Sequence, residues 1–368
     1  MKRVLLPERA NWQQAHHEIG FDYYNLPSRD GSMYWSEGVA YEFSLKQIEQ
    51  LEDASNELHQ MCLEVAGDMI QRGHYPEYFQ IHPAAIPLIE HSWKNQAPML
   101  YGRFDFAYDG QAIKMLEYNA DTPTGLLEAS VAQWHWIEQV ENIANRDQFN
   151  SIHEKLIERW KQLYPARSRV HFAACQEAGR EDWGNLEYLM DTAFQAGLNV
   201  SELSMENIGW NGTAFVDLHQ QEIQHLFKLY PWEWIWEENF SQFLKPETEW
   251  IEPCWKMLLS NKALLIELWK RFPNHPLLLE THAYDAHAHY AGKWVRKPIL
   301  AREGANIHIL QNNVDCGAAS GSFYFDDYDK YGYVMQRWVK TPLHEGMLPT
   351  LGLWMVGDEC AGMSLRED

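Results

Sequence analysis

The sequence predicts an α/β (α+β) protein. Three observations carry that expectation: a long amphipathic helical pattern near the start, an Asp-Gly hairpin signal near residue 110, and short apolar runs alternating with helical segments from residue 170 onward. The chain has 368 residues, 46% hydrophobic and 14% aromatic with 17 Trp, which is ample for a large core and argues against global disorder.

Residues 44–72, "SLKQIEQLEDASNELHQMCLEVAGDMIQR", place Ile48, Leu51, Leu58, Cys62, Val65 and Ile70 at helical spacing, and Ser44 is suited to cap the helix. Shorter helices are expected at 85–95 and 125–140. "RFDFAY" and "QAIKMLEYN" flank Asp109 and Gly110 as the strands of a hairpin. Further on, "RVHFAAC" reads as a strand and "NLEYLMDTAFQAG" as a helix ending near Gly197. "TAFVDLH" is another strand or part of a loop-flanked pair. The last region holds "WKMLLSNKALLIELWKRFP" as a helix, then "WVRKPIL" and "YVMQRWV" as strands. Four regions are expected: a mainly helical 1–95, the hairpin and helices of 96–165, an α/β portion at 166–250, and 251–368. No Pro/Gly/Ser-rich linker separates them, so the boundaries are soft within one integrated fold.

A formal charge of -22, from 30 basic and 52 acidic residues, disfavours unassisted binding to nucleic acid or anionic membranes. Cys62, Cys175, Cys254, Cys316 and Cys360 are scattered and form no CxxC pair, which reads as reduced thiols. The opening "MKRVLLPERANW" has an apolar run cut short at Pro7, and no stretch reaches the length of a membrane span. A cytoplasmic protein is the expectation; oligomeric state is left open.

The hairpin carries chemistry. A two-residue Asp-Gly turn would put Arg103 and Asp105 on the face away from Glu117. A three-residue loop, 108–110 with Gly110 left-handed, instead gathers Arg103, Asp105, Glu117 and Asn119 on one face, with Phe104, Phe106, Leu116 and Tyr118 on the other. The second register is the one expected. Two carboxylates and an amide offer hard oxygen ligands suited to Mg²⁺, and Arg103 beside them suits a carboxylate or phosphate. A solvated strand face with a surface Arg103–Glu117 pair is the competing reading.

At "RFDF" followed by "LEYNADTPTGLLEA", the sequence resembles the synthetase domain of the glutathionylspermidine synthetase family, ATP-grasp carbon–nitrogen ligases. Further motifs follow in order: "EPCWKMLLSNKALLIELWKRFPNHPLLLET", "VRKPILAREGANI", "QRWV" and "GMSLRED". The resemblance covers at least residues 95–368 and does not extend to the family's separate amidase domain, so a stand-alone synthetase-like member is expected. It implies an ATP-grasp-like synthetase fold with mixed and antiparallel sheets flanked by helices. It also implies ATP and one or two Mg²⁺ ions as cofactors, and small-molecule carboxylate and amine substrates joined through an acyl phosphate.

Roles carry over by position. Asp105, Glu117 and Asn119 match the metal ligands, with Asp105 also at the nucleotide. Arg103 matches the residue touching the acyl substrate and the transferring phosphoryl group, and Arg366 a late arginine near the γ-phosphate. Lys262 and Lys297 match two ATP-phosphate lysines, and Gly304 lies in the phosphate-covering loop. Gln336, Arg337, Trp338 and Val339 match the adenine hinge. Asp121 and Thr122 sit where the acyl substrate is held, and Glu181 and Asp182 fall near the acidic pair that helps bind the amine. Phosphoryl transfer needs positioning and charge neutralisation more than covalent chemistry, which suits this set.

Departures remain: the "EAGREDWGN" context around Glu181 differs, and Glu303 occupies a phosphate-loop position where small or neutral residues are usual. A nucleotide-binding regulatory or degenerate member, or a metal-dependent hydrolase on the same carboxylate face, are the alternatives. Trp232, Trp234 and Trp236 read better as buried packing than as a binding strip. His282, His287 and His289 read as exposed loop residues.

Overall fold

A computed structural model of the chain describes residues 1–26, 33–143, 145–319 and 322–368. A two-stranded ribbon pairs β1 (Lys2–Leu5) with β2 (Val39–Glu42), and α1 (Trp12–Glu18) lies between them in sequence. The long helix α2 (Leu45–Arg72) starts as expected: Ser44 and Gln47 form a reciprocal capping box, and Gly73 ends it in the left-handed region. Its stripe of Leu51, Leu58, Cys62, Val65 and Ile70 is buried in the larger of the cores. α3 (Ile86–Lys94) packs beside it.

β3 (Tyr101–Tyr108) and β4 (Ile113–Asn119) form the hairpin, which joins β16 (Pro349–Val356) and β17 (Glu359–Glu367) in an antiparallel sheet ordered β17-β16-β3-β4. This sheet unites residues near 110 with the last strands of the chain. The helical stretch that follows the hairpin contains a π-helical turn, Glu128–Ala132, before α4 (Gln133–Gln139).

After α5 (Ile152–Leu163) comes the parallel layer. β5 (Arg169–Ala174) leads through α6 (Arg180–Gln195) to β6 (Asn199–Ser204). A small ribbon, β7 (Gly209–Trp210) with β8 (Phe215–Val216), precedes β9 (His225–Leu229), α7 (Trp232–Glu237) and β10 (Glu249–Ile251). β10-β9-β5-β6 is wholly parallel, buried by its own helices as parallel sheets require. "TAFVDLH" thus supplies one arm of a loop-flanked pair, and the tryptophan-rich run is helical, with Trp232 and Trp236 buried.

The third sheet is antiparallel, in the order β11-β15-β12-β13-β14. Its strands are β11 (Thr281–Ala283), β12 (Lys293–Pro298), β13 (His308–Gln311), β14 (Val314–Ala318) and β15 (Tyr333–Arg337). His282 lies on β11 itself and His287 and His289 in the segment after it, all three exposed. Among the described residues, no helix is long and apolar enough to cross a membrane.

Three expectations need correcting. The helix expected across 255–273 is broken into α8 (Met257–Ser260) and α9 (Leu264–Arg271). Asn261 causes the break: its Nδ2 donates to the Phe79 carbonyl at 2.8 Å while its Oδ1 accepts from the Ala263 N–H at 2.9 Å, anchoring a turn where periodicity alone reads helix. The hairpin register also differs. The loop holds four residues, 109–112, because Asp109 Oδ1 accepts from both Gln111 N at 2.9 Å and Ala112 N at 2.7 Å. Finally, a bulge falls at Leu116, so Met115 and not Leu116 joins Phe104, Phe106 and Tyr118 in the core.

Candidate active site

The bulge decides the site. Phe106 pairs with Met115, and continuing that register would set Asp105 against Leu116; the extra residue sets Asp105 against Glu117 and Arg103 against Asn119. The four polar side chains therefore do share one face, although the turn that was expected to achieve this does not.

Gly352 of β16 is the other cross-strand partner of Asp105. Lacking a side chain, it leaves room for Arg103 to lie across β16. Arg103 grips Asp105 with both ends of its fork, Nε to Oδ1 at 2.7 Å and Nη2 to Oδ2 at 3.2 Å. Its remaining amine donates to the Thr124 carbonyl at 2.6 Å, and the guanidinium sits over the Trp354 ring. Arg366 arrives from β17 and donates to Asp105 Oδ2 at 2.5 Å. Burial alone would raise the Asp105 carboxyl, but the charges of Arg103 and Arg366 outweigh it and hold it at about 2.

Glu117 has its own cation. Lys262 Nζ lies 3.0 Å from Glu117 Oε2 and 3.0 Å from the Ala301 carbonyl. The helix break at Asn261 presents that lysine; its backbone N–H is fixed by the Ile299 carbonyl at 3.1 Å. Glu117 too is held below its ordinary range, burial being overcome chiefly by Lys262. Asn119 Nδ2 faces Glu117 Oε1 at 3.3 Å and Asp105 Oδ2 at 3.5 Å.

Lys297 of β12 closes the edge. It is buried, donating to the Leu116 carbonyl at 3.2 Å and to Gln336 Oε1 at 2.7 Å. Burial, with Lys262 adding to it, pulls Lys297 down to about 8. Gln336 in turn donates to the Met115 carbonyl at 3.2 Å, so both carbonyls flanking the bulge are read by side chains of the third sheet. The rest of the expected hinge lies apart from this cluster. The Arg337 and Trp338 N–H groups bond the carbonyls of Glu280 at 2.7 Å and Lys293 at 3.1 Å, and Trp338 stacks under Lys293. Val339 follows the strand end.

The loop 302–306 has Glu303, Gly304 and Asn306 all at positive φ. Arg302 extends from it to the Thr122 carbonyl at 3.4 Å and lies over the Trp234 ring. Thr122 is therefore at the loop's underside. Asp121 is not open to a ligand: Lys228 Nζ bonds one of its oxygens at 2.6 Å and the Trp232 N–H the other at 2.9 Å. It is buried, a fixed strut beneath the site.

Glu181 and Asp182 occupy the first turn of α6. Burial pushes both upward; Asp182 and Glu303 add to the effect on Glu181, while Arg302 opposes it at Asp182. Sequence reasoning passed over three neighbours. Glu128 is buried in the π-helical turn, Tyr34 donates to it at 2.5 Å, and Lys228 lies beneath Trp232. The available signal was a charge inside an apolar run, "LLEASVA" for Glu128 and "HLFKLY" for Lys228.

Two ionised carboxylates plus Asn119, whose amide presents Oδ1 when turned over, form an oxygen set suited to Mg²⁺ shared with phosphates. The four cations Arg103, Arg366, Lys262 and Lys297 face the two carboxylates Asp105 and Glu117, a surplus of two positive charges at one end of the sheet. Such a surplus matches a magnesium–nucleotide, which carries a complementary negative charge.

The family described as glutathionylspermidine synthase preATP-grasp matches residues 3–368. A Haemophilus influenzae protein named "Putative acid--amine ligase" is 51% identical, the alignment covering 100% of this chain and 95% of that protein. Trypanothione synthetase of Crithidia fasciculata is 27% identical over 98% of this chain, which spans only 59% of that protein. Among solved structures, a glutathione synthetase-like effector of Globodera pallida, in apo form, aligns over 99% of the chain with a TM-score of 0.61 at 9% identity, a likeness of fold.

Proposed function

The chain belongs to the glutathionylspermidine synthase preATP-grasp family, and from that membership we propose that it is an ATP- and Mg²⁺-dependent acid–amine ligase working through an acyl phosphate. The family and its relatives support a ligase on an ATP-grasp-like synthetase fold. The observation that carries the finer reading is the convergence of four cations on two carboxylates over one sheet face.

Asp105, Glu117 and Asn119 would hold magnesium, which when bound shields phosphate charge and fixes its geometry. Lys262 and Lys297 bind the nucleotide phosphates, and the end of β15 with the residues after it, Gln336 to Val339, holds the base. Arg103 and Arg366, released from part of their hold on Asp105, stabilise the negative charge on the transferring phosphoryl group. Arg103 also orients the substrate carboxylate. The loop around Gly304 covers the phosphates and places Arg302 near Thr122. Glu181 and Asp182 face the amine. The substrates are a small carboxylate and a small amine, and the five unpaired cysteines fit a reducing cytoplasm.

The test is direct. The protein is incubated with ATP, Mg²⁺, hydroxylamine and a panel of amino acids, γ-glutamyl peptides and dicarboxylates. An acyl phosphate yields a coloured hydroxamate together with ADP. Nucleotide binding without acid-dependent ADP formation would instead identify a member that binds without turning over. Hydrolysis of substrate without ATP would reinstate the hydrolase reading.

A further inference from the structure

The ligase reading leaves a proton to be placed. An alkylamine near neutral pH is an ammonium ion, like a lysine side chain, and its nitrogen has no lone pair with which to attack. Asp105 and Glu117 cannot take that proton, since both are held ionised by cations.

Across Thr124 the environment is the opposite. Glu128 is only 8% exposed, and it begins the π-helical turn, a widening of the helix that recurs at functional sites. Its Oε1 accepts from the Tyr34 hydroxyl at 2.5 Å, and its Oε2 is buried with no hydrogen-bond partner among the described residues. Glu181 is tied to this region through Asn185, one turn on along α6, which donates to the Glu181 carbonyl at 2.8 Å, accepts from the Leu126 N–H at 2.8 Å and reaches the Tyr23 hydroxyl at 3.4 Å. The Glu181 charge acts on Tyr34 and Glu128, and the Thr124 side chain favours its ionised form. Thr124 is the residue whose carbonyl receives Arg103. Facing the two carboxyls are Tyr23 and Tyr34 from the N-terminal segment, Asp182 on α6, and Glu303 from the loop. Arg180 is bonded to Asp22 and Glu187. Among the described residues no ion pair joins either carboxyl to a cation. Burial and the charge of Glu181 push Glu128 up to about 7, and Glu181 is raised as well.

We propose that Glu128, hydrogen-bonded to Tyr34, and Glu181 on the facing turn of α6 together accept the proton of the attacking amine. This rests on the ligase reading and adds to it the group that makes the nucleophile. The ammonium passes one proton to the pair, and its freed lone pair attacks the acyl-phosphate carbonyl carbon. The C–N bond forms, the carbon–oxygen bond to phosphate breaks with its electrons going to phosphate, and a second nitrogen proton leaves with the phosphate. One hydrogen stays on the amide, and the pair returns its proton to solvent.

The test uses two nucleophiles with the acid that gives hydroxamate: hydroxylamine, largely neutral at pH 7, and 1,4-diaminobutane, which is protonated there. In E128Q and in E181Q, amide formation with the diamine at pH 7 falls about 100-fold or more relative to hydroxamate formation. The deficit narrows as pH rises and the free amine appears, a pH response that a merely structural role would not produce. Infrared spectra give a reading independent of turnover: wild type shows the C=O stretch of a protonated carboxyl disappearing as pH rises through neutrality, and E128Q lacks it. Equal losses with both nucleophiles, unchanged ratios, no such infrared band, or a wild type that couples hydroxylamine but not the diamine would each overturn the proposal. A wild type that makes no hydroxamate at all removes the ligase reading itself. Thermal melts of both variants separate these outcomes from unfolding.

Discussion

Gly352 makes the position of Arg103 possible: a methyl group on Gly352 would stand 3.0 Å from Arg103 Cδ and 2.8 Å from Ser364 Oγ. The chain crosses there as an ordinary extended strand, so what the glycine supplies is space. G352A should displace the guanidinium from Asp105 while costing about 1–3 kcal/mol of stability. The expected signature is ligase turnover reduced at least tenfold with a chain still folded by circular dichroism. Unchanged turnover would show that Arg103 does not need this seat.

E117Q keeps the shape of the side chain and removes its charge. Lys262 then loses its charged partner, keeping the Ala301 carbonyl, and the oxygen set loses one of its two carboxylates. The variant should bind a non-hydrolysable ATP analogue with little help from Mg²⁺. In wild type, ligand at about 100 times its dissociation constant adds about 2.7 kcal/mol, read as a rise in melting temperature. An equal Mg²⁺-dependent rise in both proteins would exclude Glu117 as a metal ligand.

Arg103→Ala tests where charge develops. Its guanidinium lies between Asp105 and Thr124, and the nucleotide phosphates are proposed to rest on Lys262 and Lys297 instead. Turnover should fall by on the order of 100-fold, with analogue affinity changed much less. Loss of affinity with turnover per bound nucleotide preserved would reverse the assignment.

Lys256 and Glu252 form a buried ion pair behind the site, Nζ to Oε2 at 2.5 Å, and Glu252 also accepts the N–H groups of Leu100 at 3.1 Å and Tyr101 at 2.8 Å. The pair thus fixes the start of β3, two residues before Arg103. K256M leaves a buried carboxylate without its cation and should cost about 3–5 kcal/mol in urea unfolding. A cost below about 1 kcal/mol would mean that Glu252 simply takes up a proton.

The pH dependence of stability has a defined contributor at Glu37. Burial alone would raise this carboxyl, but His16, 3.6 Å away, and hydrogen bonds from Arg9 and Trp35 hold it at about 2. A depressed carboxyl stabilises the fold above its unfolded value, near 4.5, and that contribution disappears as pH falls toward 2. The stability gap between wild type and E37Q should therefore be full at pH 6 and shrink progressively below 4.5. A gap independent of pH would remove the charge argument.

Much of this was legible in the sequence because it depends on neighbours along the chain. The 44–72 helix follows from spacing and a cap, and strand alternation puts Arg103 with Asp105 on one face of β3 and Glu117 with Asn119 on one face of β4. The register did not follow, because the bulge at Leu116 arises where Lys297 and Gln336, more than 180 positions on, bind the carbonyls of Leu116 and Met115. The broken helix at Lys262 depends on the distant Phe79 carbonyl in the same way. Asp121 shows the limit of motif reading: the residue stands where the motif puts it, yet Lys228, invisible to the motif, holds it inward. Glu128 was missed because a lone carboxylate in a helical pattern looks like any solvated residue until its burial is known.

The strand carrying Arg366 has a consequence for how the molecule comes to exist. Its next residue, Glu367, is held by Arg3 at 2.7 Å and by the Tyr41 hydroxyl, a contact between positions 364 apart. A ribosome releases the first partner long before it makes the last. Until β17 docks, Asp105 has Arg103 alone, the edge of β16 is unpaired, and the N-terminal ribbon has nothing to clasp. Completion of the site thus waits for residues made long after its first strands, and is set by loop closure over a span of 364 positions. A nascent chain stalled before Ser364 would hold most of its core and no finished site, with an open strand edge exposed to aggregation.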